Sequence, residues 1–96
     1  MPVGDVPANI ARTVVGERLA ACVSLLPAVE STYRWEGQVQ QDTECLAIIK
    51  TTADRFDALH ERILELHPYD CPEVIAVPVT QGDARYLGWV VDNPRS

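Results

Sequence analysis

Residues 22–52 read CVSLLPAVESTYRWEGQVQQDTECLAIIKTT, and this stretch decides the fold. Its first part, 22–35, is rich in β-branched and aromatic residues, as a strand requires. Its last part, TECLAIIKTT, sets Leu46 and Ile48 on one side and Ala47 and Ile49 on the other. Between them, EGQVQQD reads as a polar turn around Gly37, so the whole is a β-hairpin. Pro27 cannot donate to a ladder and marks a bulge or an unpaired edge. At ~3.3 Å per residue, fourteen residues from Cys22 to Trp35 reach roughly 46 Å.

The flanking segments supply helices. Residues 5–20 place Ile10, Ala11, Val14, Val15 and Leu19 on one helical face, with Asp5 as a cap and Pro7 in the first turn. Residues 54–66 place Phe56, Leu59, Ile63 and Leu66 on one face and Asp57, Glu61, Arg62 and Glu65 on the other. Thr52 or Asp54 is the expected cap, and Pro68 the stop. PEVIAVPV, 72–79, reads as a buried strand, and 83–92 as a short terminal helix.

The order is α-β-β-α-β within one domain, 1–96. A β-α-β-β-α-β chain is the ferredoxin-like, split βαβ arrangement of the α+β class. This chain reads as that fold without its first strand, and Met1 falls where the strand-to-helix loop belongs. Either an apolar strand precedes Met1 in a longer chain, or something else fills the gap; failing both, a solvent-facing gap or an altered sheet register is the expected result. A thirteen-residue helix covers only about 20 Å, so much of the ribbon overhangs the body. An isolated ribbon is marginal in water, and its apolar positions and free edges call for a second copy of the chain.

Composition narrows the function. Eight Lys and Arg stand against fourteen Asp and Glu, a net charge of −6 with no basic run. That argues against nucleic acid and anionic membrane as partners. No apolar run approaches the ~20 residues of a membrane helix. The first residues lack the basic and apolar regions of a signal peptide. Cys22, Cys45 and Cys71 are odd in number, widely spaced and without a C-x-x-C, which fits a reduced, cytoplasmic setting. Cys22 and Cys45 lie in apolar strands and read as small core residues.

LHPYDCPEVIAVPV, 66–79, spaces His67 and Cys71 by four residues. A metal site, a Cys–His nucleophile pair and a plain helix stop compete for it. A transition-metal site wants three or four convergent ligands, and Pro68 and Pro72 argue against a helical face there. A nucleophile would need an orienting group and an oxyanion hole, and no residue marks either. The helix stop is favoured, with an imidazolium of His67 at the negative end of the helix dipole. Metal contact by His67 remains the second reading, helped if a neighbouring subunit supplies ligands. His60 is expected on the solvated helix surface.

ERLAACV (17–23), YRWEG (33–37), IIKTT (48–52), LHPYDCPE (66–73) and PVTQGDARYLGWV (78–90) run in order along nearly the whole chain. Together they resemble the CutA divalent-cation tolerance family. The resemblance implies a ferredoxin-like fold, a homotrimer similar to the trimeric PII signalling proteins, and a non-enzymatic, cytoplasmic role in tolerance of copper and other divalent metals. It implies Cu²⁺ or another divalent cation as the ion concerned, and no organic cofactor. Of the ligand set usually cited for copper in the family, this chain keeps only His67: the first-strand Cys has no counterpart, and Leu66 stands where a second His would.

The aromatics Tyr33, Trp35, Tyr69, Tyr86 and Trp89 read as core and subunit interface. A subunit-boundary cleft would join Trp35 and Tyr69 to the polar groups of Glu36, Lys50 and Glu73. The alternative to metal tolerance is accordingly a PII-like signalling or scaffold trimer that binds a small molecule or a protein there. A trimer with a purely structural role is the third reading. Glu30, Glu36, Asp42 and Glu44, on or near the hairpin, show no catalytic pairing and read as a solvated or interchain face.

Overall fold

The computed structural model describes residues 1–67 and 72–93. Helix α1 spans Asp5–Gly16. Strands β1 (Cys22–Trp35) and β2 (Gln38–Lys50) form the antiparallel ribbon. A 3₁₀ turn, Ala53–Arg55, leads into α2 (Phe56–Leu66), and α3 covers Ala84–Asp92.

The ribbon has the expected extent but a tighter turn. Glu36 (φ 51) and Gly37 (φ 78) alone connect the strands, both in the left-handed region. Paired positive φ values are the type I′ signature, which matches the twist of the flanking strands. Residues 38–42, expected in the turn, belong to β2, because β1 supplies each with a ladder partner. The register breaks between Leu26 and Val29, around Pro27: Leu26 pairs with Leu46, and Val29 with Glu44. One extra residue on β1 makes a bulge, as proline in a ladder requires.

Helix α1 is shorter than the expected 5–20. It stops at Gly16, with Glu17 N–H donating to Thr13 O and Leu19 N–H to Val14 O at 2.9 Å each, and Arg18 at φ 62. Gly4 rather than Asp5 is the cap. Asp5 lies in the first turn, where its charge complements the helix dipole.

Ile10, Val14, Ala20, Leu59 and Ile63 form the buried cluster, with Leu19, Val23 and Ile49 packed against it. Two helices thus cover the base of the ribbon, each buried Ile or Leu contributing ~1.5–3 kcal/mol. The Arg62 guanidinium spans to both carboxylate oxygens of Glu17, at 2.9 and 3.0 Å, and ties α2 to the end of α1. Helix α2 covers about 16 Å at 1.5 Å per residue, whereas the long dimension of the molecule is 45 Å. The outer ribbon therefore has no helix over it.

The expected buried strand at 72–79 is a correction. Residues 72–80 take no regular secondary structure, and Ile75, Val77 and Val79 are 71–80% exposed. Among the described residues the sheet has two strands only. A strand is defined by its neighbour. Between β2 and this segment lies Met1, whose ammonium donates to Cys45 O at 3.0 Å and whose C=O accepts from Cys45 N–H at 2.8 Å. The described residues form an α+β, ferredoxin-like arrangement in which Met1 alone stands at the first-strand position.

Candidate functional site

The first-strand position continues along the ribbon as one groove of about 2240 Å³. One wall is β2, the other is residues 73–79, and Leu59 and Ile63 of α2 lie at its floor. Trp35, Lys50, Glu73 and His67 all line it. Glu36 does not line it: it occupies the turn beyond Trp35. Tyr69 and Cys71 fall outside the described residues.

Trp35 and Lys50 sit at opposite ends of the ribbon, since Trp35 pairs with Gln38 and Lys50 with Cys22. One chain thus does not gather the predicted cleft residues at a single point. The Lys50 ammonium is held at its own end, donating to Ser24 Oγ at 2.6 Å and lying 3.9 Å from Cys22 Sγ. Ser24 was not anticipated from sequence. The signal was available in the register, because Ser24 lies diagonal to Lys50 across the pair. Cys45 is buried, as a small core residue should be, and Cys22 is half-buried.

The aromatics are not core residues of one chain. Trp35 is 55% exposed, and Tyr33, Tyr86 and Trp89 are also exposed. The Tyr33 hydroxyl donates to the Asp42 carboxylate across the ribbon, and Tyr86 and Trp89 pack with ring centroids 5.9 Å apart. His60 stacks on Phe56 at 5.6 Å and is half-buried rather than fully solvated.

His67 corrects the dipole reading. It follows α2 in extended geometry (ψ 133), as a residue before proline prefers, and donates its backbone N–H to Ile63 O. Burial lowers its pKa, and the Met1 ammonium lowers it further, against an opposing pull from Glu44. The neutral imidazole is therefore the favoured form. Glu44 also lies 3.7 Å from the Met1 ammonium. A neutral imidazole is the metal-ligating form, so His67 is chemically suited to a cation. The donor set is not complete: no group of three or more His, Cys, Asp or Glu side chains converges among the described residues. One chain's described residues do not fit a selective metal site.

A two-helix cover on a long antiparallel ribbon, with residues 73–79 across the first-strand position, defines a PII-like α+β protein. The profile of the CutA1 divalent ion tolerance proteins matches residues 2–93, and the chain belongs to that family. It is 45% identical over 93 residues to the divalent-cation tolerance protein CutA of Thermus thermophilus, covering 97% of this chain and 90% of that one. It is 47% identical over 89 residues to human protein CutA, covering 93% of this chain but 50% of the human one. It therefore spans about half the length of such relatives. The solved Thermus thermophilus structure superposes with a TM-score of 0.94 at 45% identity, covering 97% of this chain and 90% of that chain. The CutA of Archaeoglobus fulgidus, titled periplasmic, superposes with a TM-score of 0.94 at 28% identity, covering 98% of this chain and 91% of that chain. An Arabidopsis thaliana relative, 47% identical over 92% of this chain and 48% of its own length, is named chloroplastic. The family thus spans several compartments. No helix among the described residues is long and apolar enough to cross a membrane.

Proposed function

We propose that this protein acts without catalysis in tolerance of divalent metals, as a homotrimer joined through its 22–52 ribbons in the cytoplasm. One observation carries the reading: the ribbon leaves Tyr33, Trp35, Leu46 and Ile48 exposed on one side, from 38% to 55%. A contiguous apolar face of that kind is a protein-binding surface. The family match supplies the link to divalent cations. A cation, Cu²⁺ foremost, would be held by His67 together with donors from a neighbouring copy, since one chain falls short of three ligands. Copper(II) heads the divalent affinity order, so binding has to be tied to a residue and a stoichiometry.

Light scattering at micromolar concentration is the first test. A mass three times the 10.6 kDa chain is expected, and the mass of one chain sinks the proposal. Copper titration by calorimetry and electron paramagnetic resonance is the second. Stoichiometric binding lost in His67→Ala supports the cation reading, and binding untouched by that change removes His67 from it. The signalling reading is favoured by one feature, that Trp35, Lys50 and Glu73 line a common groove. A small anionic molecule that raises the melting temperature while copper does not bind would select it.

A further inference from the structure

Lys50 is the chain's single lysine, against seven arginines. It lies opposite Cys22 in the ladder, and directly opposed residues share one face of a ribbon. The two side chains meet on that face. Nζ lies 3.9 Å from Cys22 Sγ and donates to Ser24 Oγ at 2.6 Å. Both residues are half-buried, and Cys22 is a free thiol. The bond to Ser24 ties the flexible four-carbon stem of the lysine down on this side. An amine and a sulfur are thus held together at the base of the hairpin, from positions 28 residues apart in sequence. A small swing of Nζ brings the two within the span of one bridging oxygen atom.

We propose that Cys22 and Lys50 form a redox-controlled crosslink site, closed by one oxygen atom taken from dioxygen. One ammonium, one thiol and one O₂ give one N–O–S bridge, one water and one proton. The O–O bond breaks. One oxygen atom bonds to both Nζ and Sγ, and the other leaves as water. The nitrogen and the sulfur together give up the four electrons that O₂ takes. Dioxygen is small and uncharged, which suits a half-buried pair. Closure removes the chain's one ammonium side chain, releases Ser24 and staples β1 to β2 where the ribbon packs under the helices. Sulfur oxidised short of sulfinic acid is recovered by thiols. Two molecules of dithiothreitol supply the four electrons that return the amine, the thiol and a second water.

The test uses the 96-residue chain, purified under reductant and then held in air-saturated buffer. Its intact mass is expected to gain one oxygen and lose two hydrogens. Trypsin should lose its cut after Lys50, so that peptides 19–34 and 35–55 stay joined. Dithiothreitol should restore the original mass and the cut. Lys50→Arg keeps the positive charge on a group that does not deprotonate, and should abolish the bridge. Cys22→Ser should abolish it too, whereas Cys45→Ala combined with Cys71→Ser should retain it. Oxygen gained at Cys22 with normal cleavage after Lys50 overturns the proposal. So does a disulfide, which loses two hydrogens and gains no oxygen. A bridge that survives in Cys22→Ser or Lys50→Arg, or no change of mass in the wild-type chain, overturns it as well.

Discussion

The two ends of the ribbon have the same backbone geometry but different means of support. At the base, Val23 and Ile49 pack under α1 and α2 beside Val14, which is fully buried. At the tip, Trp35 and Val39 are 55% and 67% exposed with no helix over them. The base is held by its own chain, and the tip is left with apolar area that only another molecule can cover. Stability and assembly are thereby assigned to separate parts of one hairpin.

Six substitutions break or sharpen that contrast. The largest effect is expected at the base. Leu59→Ala or Ile63→Ala removes a side chain only 3–4% exposed and should cost about 2–5 kcal/mol in urea unfolding. Val39→Ala at the tip should leave the unfolding of an isolated chain nearly unchanged, within ~0.5 kcal/mol. Trp35→Ala should act on assembly instead. As an aromatic anchor of the proposed interface it is expected to weaken association by about 2 kcal/mol, read as a fall in mass on dilution. Retention of the full mass at all concentrations would show that the tip takes no part.

Gly37→Ala comes next. Nothing lies within 4 Å of the added Cβ, so only the backbone at φ 78 resists it. About 1 kcal/mol is expected, measured by thermal unfolding. The smallest effect is the pH dependence at His67. Its folded pKa is lowered, so the unfolded chain binds the proton more readily. Its contribution is fully present above the ordinary histidine value of about 6.5 and is lost as pH falls through the depressed folded value. Denaturation midpoints of wild type and His67→Gln at pH 7.5 and 5.5 should converge at the lower pH.

Local chemistry made most of the fold legible. The ribbon showed in the alternation of 46–49, the bulge in Pro27, and the stop of α2 in Pro68; the cap of α3, Asp83 accepting from Tyr86 N–H at 3.0 Å, is added by the structure. Residues 72–79 misled because their β-rich composition is local while pairing is not. Residues 38–42 misled in the opposite sense, being polar apart from Val39 although paired throughout. At the site, His67 was visible as a residue but not as a buried one, since its surroundings come from Met1 and Glu44, far away in sequence. The groove was legible only as a missing strand, and its two walls depend on the tertiary fold.

The bulge at Pro27 has a consequence for handedness of display. Before it, the odd-numbered residues Val23 and Leu25 pair with Ile49 and Ala47 and look toward the helices. After it, Val29, Tyr33 and Trp35 pair with the even-numbered Glu44, Gln40 and Gln38, and so share the outward side with Leu46 and Ile48. A single surplus residue flips the parity of β1 midway and gathers its aromatics onto one continuous surface. A straight ladder continued from the Leu26–Leu46 pair would instead set Tyr33 opposite Val39 and turn it, with Trp35, to the reverse side.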